Sequence, residues 1–194
     1  MLPKRSAAFL LKAGNAWTAP VSAKRLASAG RLDVVARALI ALLGTPVAAH
    51  ALFIAVLAGP PNPPLGLVVD CGRAKPLGSE AEFAEAFSSA VRGEPPEGYE
   101  TLKLSFEEAV SGLKAAGYNI YYLHEAGADI RETNIVPPAA FVLGDHIGLT
   151  REDEALLEAE GIGRVSLGPL PYFTSHCVVL VCEEILRRAH LAPA

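Results

Sequence analysis

The sequence contains few cysteines. Cys71, Cys177 and Cys182 are the only three in 194 residues, and a small, odd set does not form the paired framework that staples small secreted domains. We therefore expect a reducing, cytoplasmic environment. Internal repeats and low-complexity segments are also absent from the sequence. Because 51% of the residues are hydrophobic, a single domain spanning residues 1–194 can bury a core without staples.

No apolar run in the sequence has the length of a membrane helix. Between residues 38 and 72 the only charged side chain is Asp70, yet residues 44–46 (Gly-Thr-Pro) interrupt this segment where a spanning helix needs about 20 continuous apolar residues. Near the N-terminus, Lys12 ends the first apolar run too soon for a secretory signal. We expect the apolar segment to be buried core, and we expect no association with a membrane.

Basic residues are concentrated in the N-terminal part. The net charge of −4 argues against indiscriminate binding to nucleic acid, but residues 1–37 carry seven basic side chains and one acidic side chain, Asp33. Two interpretations stay open: this part contacts nucleic-acid phosphates, or it is a solvated terminus and helix face. The basic residues are Lys4, Arg5, Lys12, Lys24, Arg25, Arg31 and Arg37.

Two short apolar runs near the C-terminus each precede a glycine. Residues 141–143 and 164–167 are both strand-sized. Between them, Thr150 and Asp153 form a capping pattern that begins a helix over residues 151–160. A strand, a helix and a second strand in this order predict a βαβ unit with parallel strands.

The two glycine loops follow the carboxyl ends of their strands. Ligands bind at that edge of a parallel sheet, so Gly144 and residues 167–172 are expected to face one another across a crevice. Glycine lets a backbone approach a ligand closely, and proline stiffens the loop around it. The sequence thus predicts an α/β fold with a mostly parallel sheet and helices on both faces.

Apolar spacing and capping residues predict the remaining elements. Helices are expected over residues 32–43, 80–92, 106–116 and 174–188, and strands over residues 6–11, 51–58, 65–70 and 120–123. Loops are expected at residues 59–64, 94–99 and 131–140, and a turn at residues 124–127.

Five motifs span nearly the whole chain. They are Gly30-Arg31-Leu32-Asp33, Gly59-Pro60-Pro61-Asn62-Pro63-Pro64, Tyr121-Tyr122-Leu123-His124 with Gly127 and Asp129, FVLGDHIG from residue 141 and VSLGPLPYFTSHC from residue 165. With these motifs in the same order, the sequence resembles the archaeal tRNA pseudouridine-54 N1-methyltransferases, which are members of the trefoil-knotted SPOUT superfamily.

The resemblance implies a fold, a cofactor and a reaction. The fold would be a SPOUT-like α/β domain with a deep trefoil knot over about residues 141–186, which binds S-adenosylmethionine in a bent shape. The protein would methylate N1 of pseudouridine 54 in the T loop of tRNA as a homodimer, with residues 1–37 facing the RNA. The implied cofactor-binding residues are Leu123, Gly144, Leu167, Gly168, Pro169, Leu170, Pro171, Tyr172 and Cys177.

The resemblance also implies that Asp33 and Arg31 are the catalytic residues. Asp33 would orient N1 or steer its proton to water, and Arg31 would hold a phosphate or the base. A carboxylate with a pKa near ~3.9 is a weak base for an imide-like nitrogen, so alignment of the nitrogen with the methyl group would do most of the catalysis. Without the resemblance, Asp33 is explained equally well as an acid in the first turn of a helix.

One part of the sequence departs from the family. Related enzymes have a pair of arginines after a Pro-Gly-aromatic motif, whereas Lys103 is the only basic residue in residues 96–103. The protein could therefore be a non-catalytic member that binds the cofactor or RNA, or a pseudouridine methyltransferase that acts on another RNA. A third alternative is a metal site, although no two of its candidate ligands have the tight helical spacing of a zinc motif. Those candidates are His124, Asp145, His146, His176 and Cys177.

Overall fold

The computed structural model describes residues 5–191. The strands in this part of the chain are β1 (Ala7–Ala13), β2 (Ala51–Leu57), β3 (Leu65–Asp70), β4 (Tyr99–Leu102), β5 (Asn119–Asp129), β6 (Ala139–Gly144) and β7 (Gly163–Ser166). The helices are α1 (Leu32–Leu43), α2 (Glu80–Val91), α3 (Phe106–Ala115), α4 (Arg151–Ala159) and α5 (Thr174–Leu191). Short 3-10 helices cover Ala23–Arg25 and Pro46–His50.

All seven strands form one sheet in the order β4-β3-β2-β1-β6-β5-β7. Strands β2, β1, β6, β5 and β7 run parallel, and β3 pairs antiparallel with both β2 and β4. The prediction of a mostly parallel α/β sheet is confirmed. Strand β5 lies between β6 and β7, so the carboxyl ends of these three strands are neighbours at one edge of the sheet.

The central strands are buried on both faces, as expected when helices cover a parallel sheet on two sides. Every residue of β2 is buried. In β1, Phe9 belongs to the core that α1, α2 and α5 complete, and the next residue, Leu10, belongs to the core that α3 and α4 complete. The apolar segment predicted to be core thus lies inside the protein. Among residues 5–191, no helix combines the length and apolar character needed to cross a bilayer.

The helix starts follow the capping patterns in the sequence. Ser105 accepts a hydrogen bond from the backbone of Glu108, whose side chain accepts one from the backbone of Ser105. Thr150 and Asp153 make the same reciprocal pair at the start of α4. Each such cap stabilises its helix by about 1 kcal/mol, and these pairs fix where α3 and α4 leave the sheet.

Two predictions about the strands are wrong. The turn expected at residues 124–127 is part of β5, which continues to Asp129; Leu123 and Ala128 both pair with Val165, so the intervening residues bulge out of the strand. Gly127 is required there because a Cβ at this position would lie 2.5 Å from the backbone nitrogen of Val165. The loop expected to end at Tyr99 instead leads into β4, a four-residue edge strand held by pairing with β3.

Candidate active site

A cavity of about 340 Å³ lies at the carboxyl ends of β5, β6 and β7. This volume is within the range of small-molecule sites, and the edge is where α/β sheets bind ligands. The cavity is lined by Tyr122, Leu123, His124, Glu125, Leu143, Gly144, Asp145, Ile147, Gly148, Leu149, Glu154, Ser166, Leu167, Gly168, Leu170, Tyr172, Thr174 and Cys177. The loops after β6 and β7 therefore meet across one crevice.

Most of the cofactor-binding residues expected from the sequence lie in this cavity. Leu123, Gly144, Leu167, Gly168, Leu170, Tyr172 and Cys177 are in its lining. Pro169 and Pro171 are not among the lining residues. The nine contacts stay predictions about the cofactor, but the structure brings seven of these residues to one space.

Gly144 is at the end of β6, where the chain reverses tightly. A Cβ on this residue would lie 2.5 Å from the Cα of Gly148, so only glycine fits without moving the backbone. The Gly144 carbonyl accepts a hydrogen bond of 3.0 Å from the hydroxyl of Thr174 at the start of α5. This contact ties the first turn of α5 to the loop after β6.

The loop after β7 is held by its own polar groups and exposes apolar side chains. The hydroxyl of Ser166 accepts a hydrogen bond from the Gly168 nitrogen and donates one to the Gly168 carbonyl. Gly168 has a φ of 144°, in the region that favours glycine. Further along, Leu170 is 61% exposed and Tyr172 is 37% exposed, so the mouth of the cavity is apolar.

One wall of the cavity is a polar cluster that sequence reasoning missed. The Tyr122 hydroxyl donates a hydrogen bond of 2.8 Å to Oε1 of Glu154, and His124 Nε2 lies 3.8 Å from the same oxygen. Arg164 Nη2 lies 3.5 Å from the other carboxylate oxygen. Burial, and then the hydrogen bond to Glu154, raise the pKa of Tyr122 well above its usual value, so its phenol stays protonated.

Arg31 and Asp33 form a bidentate ion pair at the start of α1. The Arg31 Nε and Nη2 atoms lie 2.9 and 3.1 Å from the two oxygens of Asp33, and Arg37 Nη1 lies 3.7 Å from one of them. Asp33 is only 2% exposed. Burial by itself raises the pKa of Asp33, but the hydrogen bonds and charge of Arg31, with the charge of Arg37, outweigh burial and lower it.

The backbone at Arg31 is strained. Among residues 5–191, it is the only non-glycine residue with a positive φ, at 62°, a conformation that costs about 1–2 kcal/mol. The preceding Gly30 also has a positive φ, and a Cβ there would lie 1.6 Å from the carbonyl oxygen of Asn15. Close packing of the loop after β1 therefore forces the chain into this turn.

Asp145 connects the cavity with the Arg31 segment. Its carboxylate accepts hydrogen bonds from the backbone of Gly14, at 3.0 Å, and of Ile147, at 2.9 Å. The loop that begins at Gly14 is the one that packs against Gly30. The charge of Asp145 also contributes, after the larger effect of Asp33, to the raised pKa of Arg31. The Arg31–Asp33 pair is not in the cavity lining, but it lies beside the cavity at the same edge of the sheet.

The candidate metal ligands are not gathered into a metal site. Within residues 5–191, no group of three or more His, Cys, Asp or Glu side chains is arranged to hold a metal ion. His146 faces Asp145 at 3.7 Å, and the His176 ring contacts Phe173. Burial raises the pKa of Cys177 to about 11, so this thiol is not a ready nucleophile.

Comparison with known proteins finds relatives over the same residues. The profile of a family of SAM-dependent RNA methyltransferases matches residues 6–190. The tRNA (pseudouridine(54)-N(1))-methyltransferase of Methanocella arvoryzae is 36% identical over 171 residues, covering 82% of this chain and 87% of that protein. The protein of the same name from Methanococcus maripaludis is 32% identical over 187 residues, covering 89% and 94%.

A solved structure has the same fold. The crystal structure of Archaeoglobus fulgidus Nep1 bound to S-adenosylhomocysteine matches with a TM-score of 0.68 and 16% identity, covering 96% of this chain and 100% of that one. At this identity the likeness establishes the fold, and the profile and sequence relatives establish the family. The chain therefore belongs to the SAM-dependent RNA methyltransferase family, together with the archaeal tRNA (pseudouridine(54)-N(1))-methyltransferases that it resembles.

Proposed function

We propose that this protein transfers the methyl group of S-adenosylmethionine to N1 of pseudouridine in RNA, and that its target is pseudouridine 54 in the T loop of tRNA. The observation that carries the proposal is the cavity between the loops after β6 and β7, beside the Arg31–Asp33 pair. The names of the archaeal relatives support the choice of substrate. The three free thiols of the chain support a cytoplasmic location.

The residues of the cavity fit the cofactor. Leu123, Leu167 and Leu170 provide apolar surface for the faces of an adenine ring, and the loop backbone would bind its polar edge. The carboxylates of Glu125 and Glu154 line the same cavity and complement a cationic ligand. When bound, S-adenosylmethionine supplies an electrophilic methyl group on a positively charged sulfur.

The Arg31–Asp33 pair would orient the base. Asp33 is buried, ionised and already hydrogen-bonded to Arg31. It is therefore better suited to hold a hydrogen-bond donor such as the Arg31 guanidinium in place than to remove a proton. Arg31 is 43% exposed at its side chain, so it can reach a phosphate or a base carbonyl while Asp33 holds it. Alignment of N1 with the methyl group would then provide most of the rate enhancement.

We also propose the trefoil knot over about residues 141–186 and a homodimer. The hydrogen bond between Thr174 and the Gly144 carbonyl supports a path in which α5 starts against the loop after β6. Large apolar side chains exposed at the mouth of the cavity support a second copy that covers them. These are Ile147, Leu170, Tyr172 and Phe173, with Val179 on α5.

Two measurements test the function. Calorimetric titration with S-adenosylhomocysteine should give one saturable site per chain, and radiolabelled methyl groups should enter a stem-loop with pseudouridine at position 54. The same stem-loop with uridine at that position is the matched control and should stay unlabelled. Cofactor binding without methyl transfer to this RNA would favour the alternatives of a non-catalytic protein or another RNA target, which the missing arginine pair raises. Absence of cofactor binding would contradict the proposal altogether.

A further inference from the structure

Most basic side chains of the N-terminal part are already engaged with acids. Arg5 pairs with Asp70, Lys12 with Asp153 at 3.0 Å, and Arg31 with Asp33. Arg37 pairs with Glu80 at 2.7 Å, and Lys4 lies outside the described residues. Four of the seven basic side chains of residues 1–37 are thus paired with acids, and further phosphate contacts are best sought among the cations that are not.

Lys103 is not available as a substitute for the missing arginine pair. Its ammonium donates hydrogen bonds to the carbonyls of Asn62, at 2.9 Å, and Pro63, at 3.3 Å. These contacts fasten the proline-rich loop after β2. Lys103 therefore has a structural role, and the RNA must find its cations elsewhere.

Lys24 and Arg25 are exposed and form no ion pair with any carboxylate of residues 5–191. The Arg25 guanidinium lies over the ring of Trp17, 5.3 Å from its centroid. Trp17 is itself half-buried, and its backbone nitrogen bonds to the carbonyl of Ala29 at 3.2 Å. The segment therefore holds one cation over a half-buried aromatic ring and a second exposed cation, Lys24, next to it in the chain.

The segment with Lys24 and Arg25 adjoins a groove on one side and leads to the Arg31–Asp33 pair on the other. Ala23, directly before Lys24, lines a groove of about 420 Å³ together with residues of α2. Arg92 lies in the lining of the same groove and forms no ion pair within the described part of the chain, and Glu85 is its acidic neighbour there. From Arg25 the chain runs through Ala29 to Gly30 and Arg31, so the groove and the Arg31–Asp33 pair lie on one continuous segment.

We propose that Trp17, Lys24 and Arg25 form the surface that binds the substrate RNA next to its target nucleotide, with Arg92 across the groove. Lys24, Arg25 and Arg92 bind phosphates, and the Trp17–Arg25 pair offers a flat face to an unpaired base, the arrangement by which proteins bind single-stranded loops of RNA. This inference rests on the proposed function for its substrate class. It assigns RNA binding to residues that lie outside the cofactor cavity.

The test uses Trp17 as its own probe, because it is the only tryptophan in the chain. Titration of the full-length protein with the pseudouridine-54 stem-loop should change the tryptophan emission with the same midpoint as a filter-binding assay. The double substitution Lys24→Gln with Arg25→Gln should weaken binding roughly tenfold and reduce the slope of log affinity against log salt by about 1.4 to 1.8, since each lost phosphate contact contributes about 0.7 to 0.9.

The matched control is the double substitution Lys114→Gln with Arg151→Gln. These exposed cations lie on α3 and α4, which cover the other face of the sheet, and Lys114 pairs with Glu160 there, so RNA affinity and salt slope should stay as in the wild type. Equal affinity and slope in both double variants would overturn the proposal, as would RNA binding that leaves the Trp17 emission unchanged. Titration of each variant with S-adenosylhomocysteine checks that it is folded.

The outcome separates this inference from the proposed function. If the wild type methylates the stem-loop and the Lys24/Arg25 variant does so with unchanged affinity, only the assignment of the surface fails. If the wild type binds the stem-loop through Lys24 and Arg25 but transfers no methyl group to it, only the proposed reaction fails.

Discussion

At the scale of single residues, Asp33 is held in surroundings unlike those of a surface acid. It is buried at the start of α1 and lies between the guanidinium groups of Arg31 and Arg37. These partners lower its pKa in spite of burial, so it is a fixed negative charge at neutral pH. Such a charge can hold the Arg31 guanidinium in one position. The backbone of Arg31 is strained, and strain of this kind is commonly found at functional sites.

The first prediction is that Asp33→Asn slows methyl transfer by about 100-fold, the loss expected when a reacting group is displaced by about 1 Å from its aligned position. The amide keeps the shape of the side chain but no longer holds Arg31 by charge. Affinity for S-adenosylhomocysteine should change less than about twofold, because the pair lies outside the cavity lining. Steady-state kinetics and calorimetry measure the two effects.

Asp70→Asn is the matched control for this prediction. Asp70 also receives two hydrogen bonds from one arginine, Arg5, at 2.9 and 2.8 Å, but it lies where β3 ends, next to the start of β2 at the opposite edge of the sheet. Its substitution should leave the methyl-transfer rate unchanged. A wild-type rate for Asp33→Asn would rule out a role for its charge in catalysis.

The second prediction concerns Glu184 and acid stability. Hydrogen bonds from Arg187 lower the pKa of Glu184, and Arg188 adds to this against the opposing effect of burial. A lowered folded-state pKa means that the contribution to stability is fully present above the unfolded value of about 4.3 and is lost as pH falls through the folded value. Glu184→Gln should reduce the unfolding free energy by about 1 to 3 kcal/mol at pH 7 and by much less near pH 3.

Urea denaturation at both pH values measures this difference. A loss of stability that is the same at pH 7 and pH 3 would show that the charge of Glu184 is not what stabilises α5. Glu183→Gln is the control, because the Glu183 side chain is exposed and forms no ion pair within residues 5–191.

The sequence predicted part of the residue-level site. Arg31 and Asp33 were expected at the first turn of a helix. Helix α1 begins there, with Arg31 as its N-cap and Asp33 in its first turn. The Tyr122–Glu154 hydrogen bond was not foreseen, because its partners are 32 residues apart and their spacing carries no periodic signal. Only the pairing of β5 with β6 and β7, and the position of α4, bring them to one wall.

At the scale of elements, the turn at the end of β6 determines the shape of the cavity. The chain reverses between Asp145 and Gly148, which form an isolated bridge, and Gly144 has no space for a side chain. Thr174 holds α5 against the same turn. A small shift of the backbone in this turn would therefore move both the lining of the cavity and the first residues of α5.

The third prediction is that Gly144→Ala weakens binding of S-adenosylhomocysteine by at least tenfold. A Cβ placed 2.5 Å from the Cα of Gly148 must push backbone apart, and overpacking of this kind costs about 1 to 3 kcal/mol. Calorimetry gives the affinity, and thermal denaturation gives the stability.

Gly163→Ala is the control within the same region. Gly163 begins β7, no atom lies within 4 Å of an added Cβ, and its φ is not positive. Affinity and stability should remain close to the wild-type values. If both variants behave alike, the fit of the Gly144 turn is not what shapes the cavity.

Helices and buried strands followed from the sequence better than edge strands did. Helix α1 matches its predicted bounds, residues 32–43, because apolar spacing and Gly44 both mark it. Strand β4 has four residues and no apolar alternation, so its pairing with β3 decides its conformation. The bulge at residues 124–127 likewise depends on Val165 in β7, a partner that no local pattern reveals.

At the scale of the whole molecule, the apolar rim of the cavity is the feature on which the proposed dimer rests. Phe173 is 77% exposed and Leu170 is 61% exposed, which is costly for side chains of this size in water. The proposed knot and the proposed dimer depend on the whole path of the chain and on its surface. Periodicity and capping do not encode them, so they entered only through the family resemblance.

The fourth prediction is that the protein sediments as a dimer and that Phe173→Asp shifts it toward the monomer. A charge at the centre of an apolar contact leaves a carboxylate without a partner, which opposes association. The same variant should bind S-adenosylhomocysteine more weakly, because Phe173 adjoins the lining residues Tyr172 and Thr174. Analytical ultracentrifugation measures the association.

Val136→Asp is the control for association. Val136 is also an exposed apolar side chain, at 44%, but it lies in the loop before β6 and away from the cavity lining. It should leave the sedimentation coefficient unchanged. A monomeric wild type at micromolar concentration would contradict the dimer without affecting the assignment of the cavity.

The most direct test of the central claim is mass spectrometry of a tRNA stem-loop after incubation with the protein and S-adenosylmethionine. We predict one added methyl group on N1 of pseudouridine at position 54, none when that position is uridine, and a greatly reduced yield with Asp33→Asn. A stem-loop that stays unmodified while the protein binds S-adenosylhomocysteine, or a methyl group found on a ribose or another base, would contradict the claim.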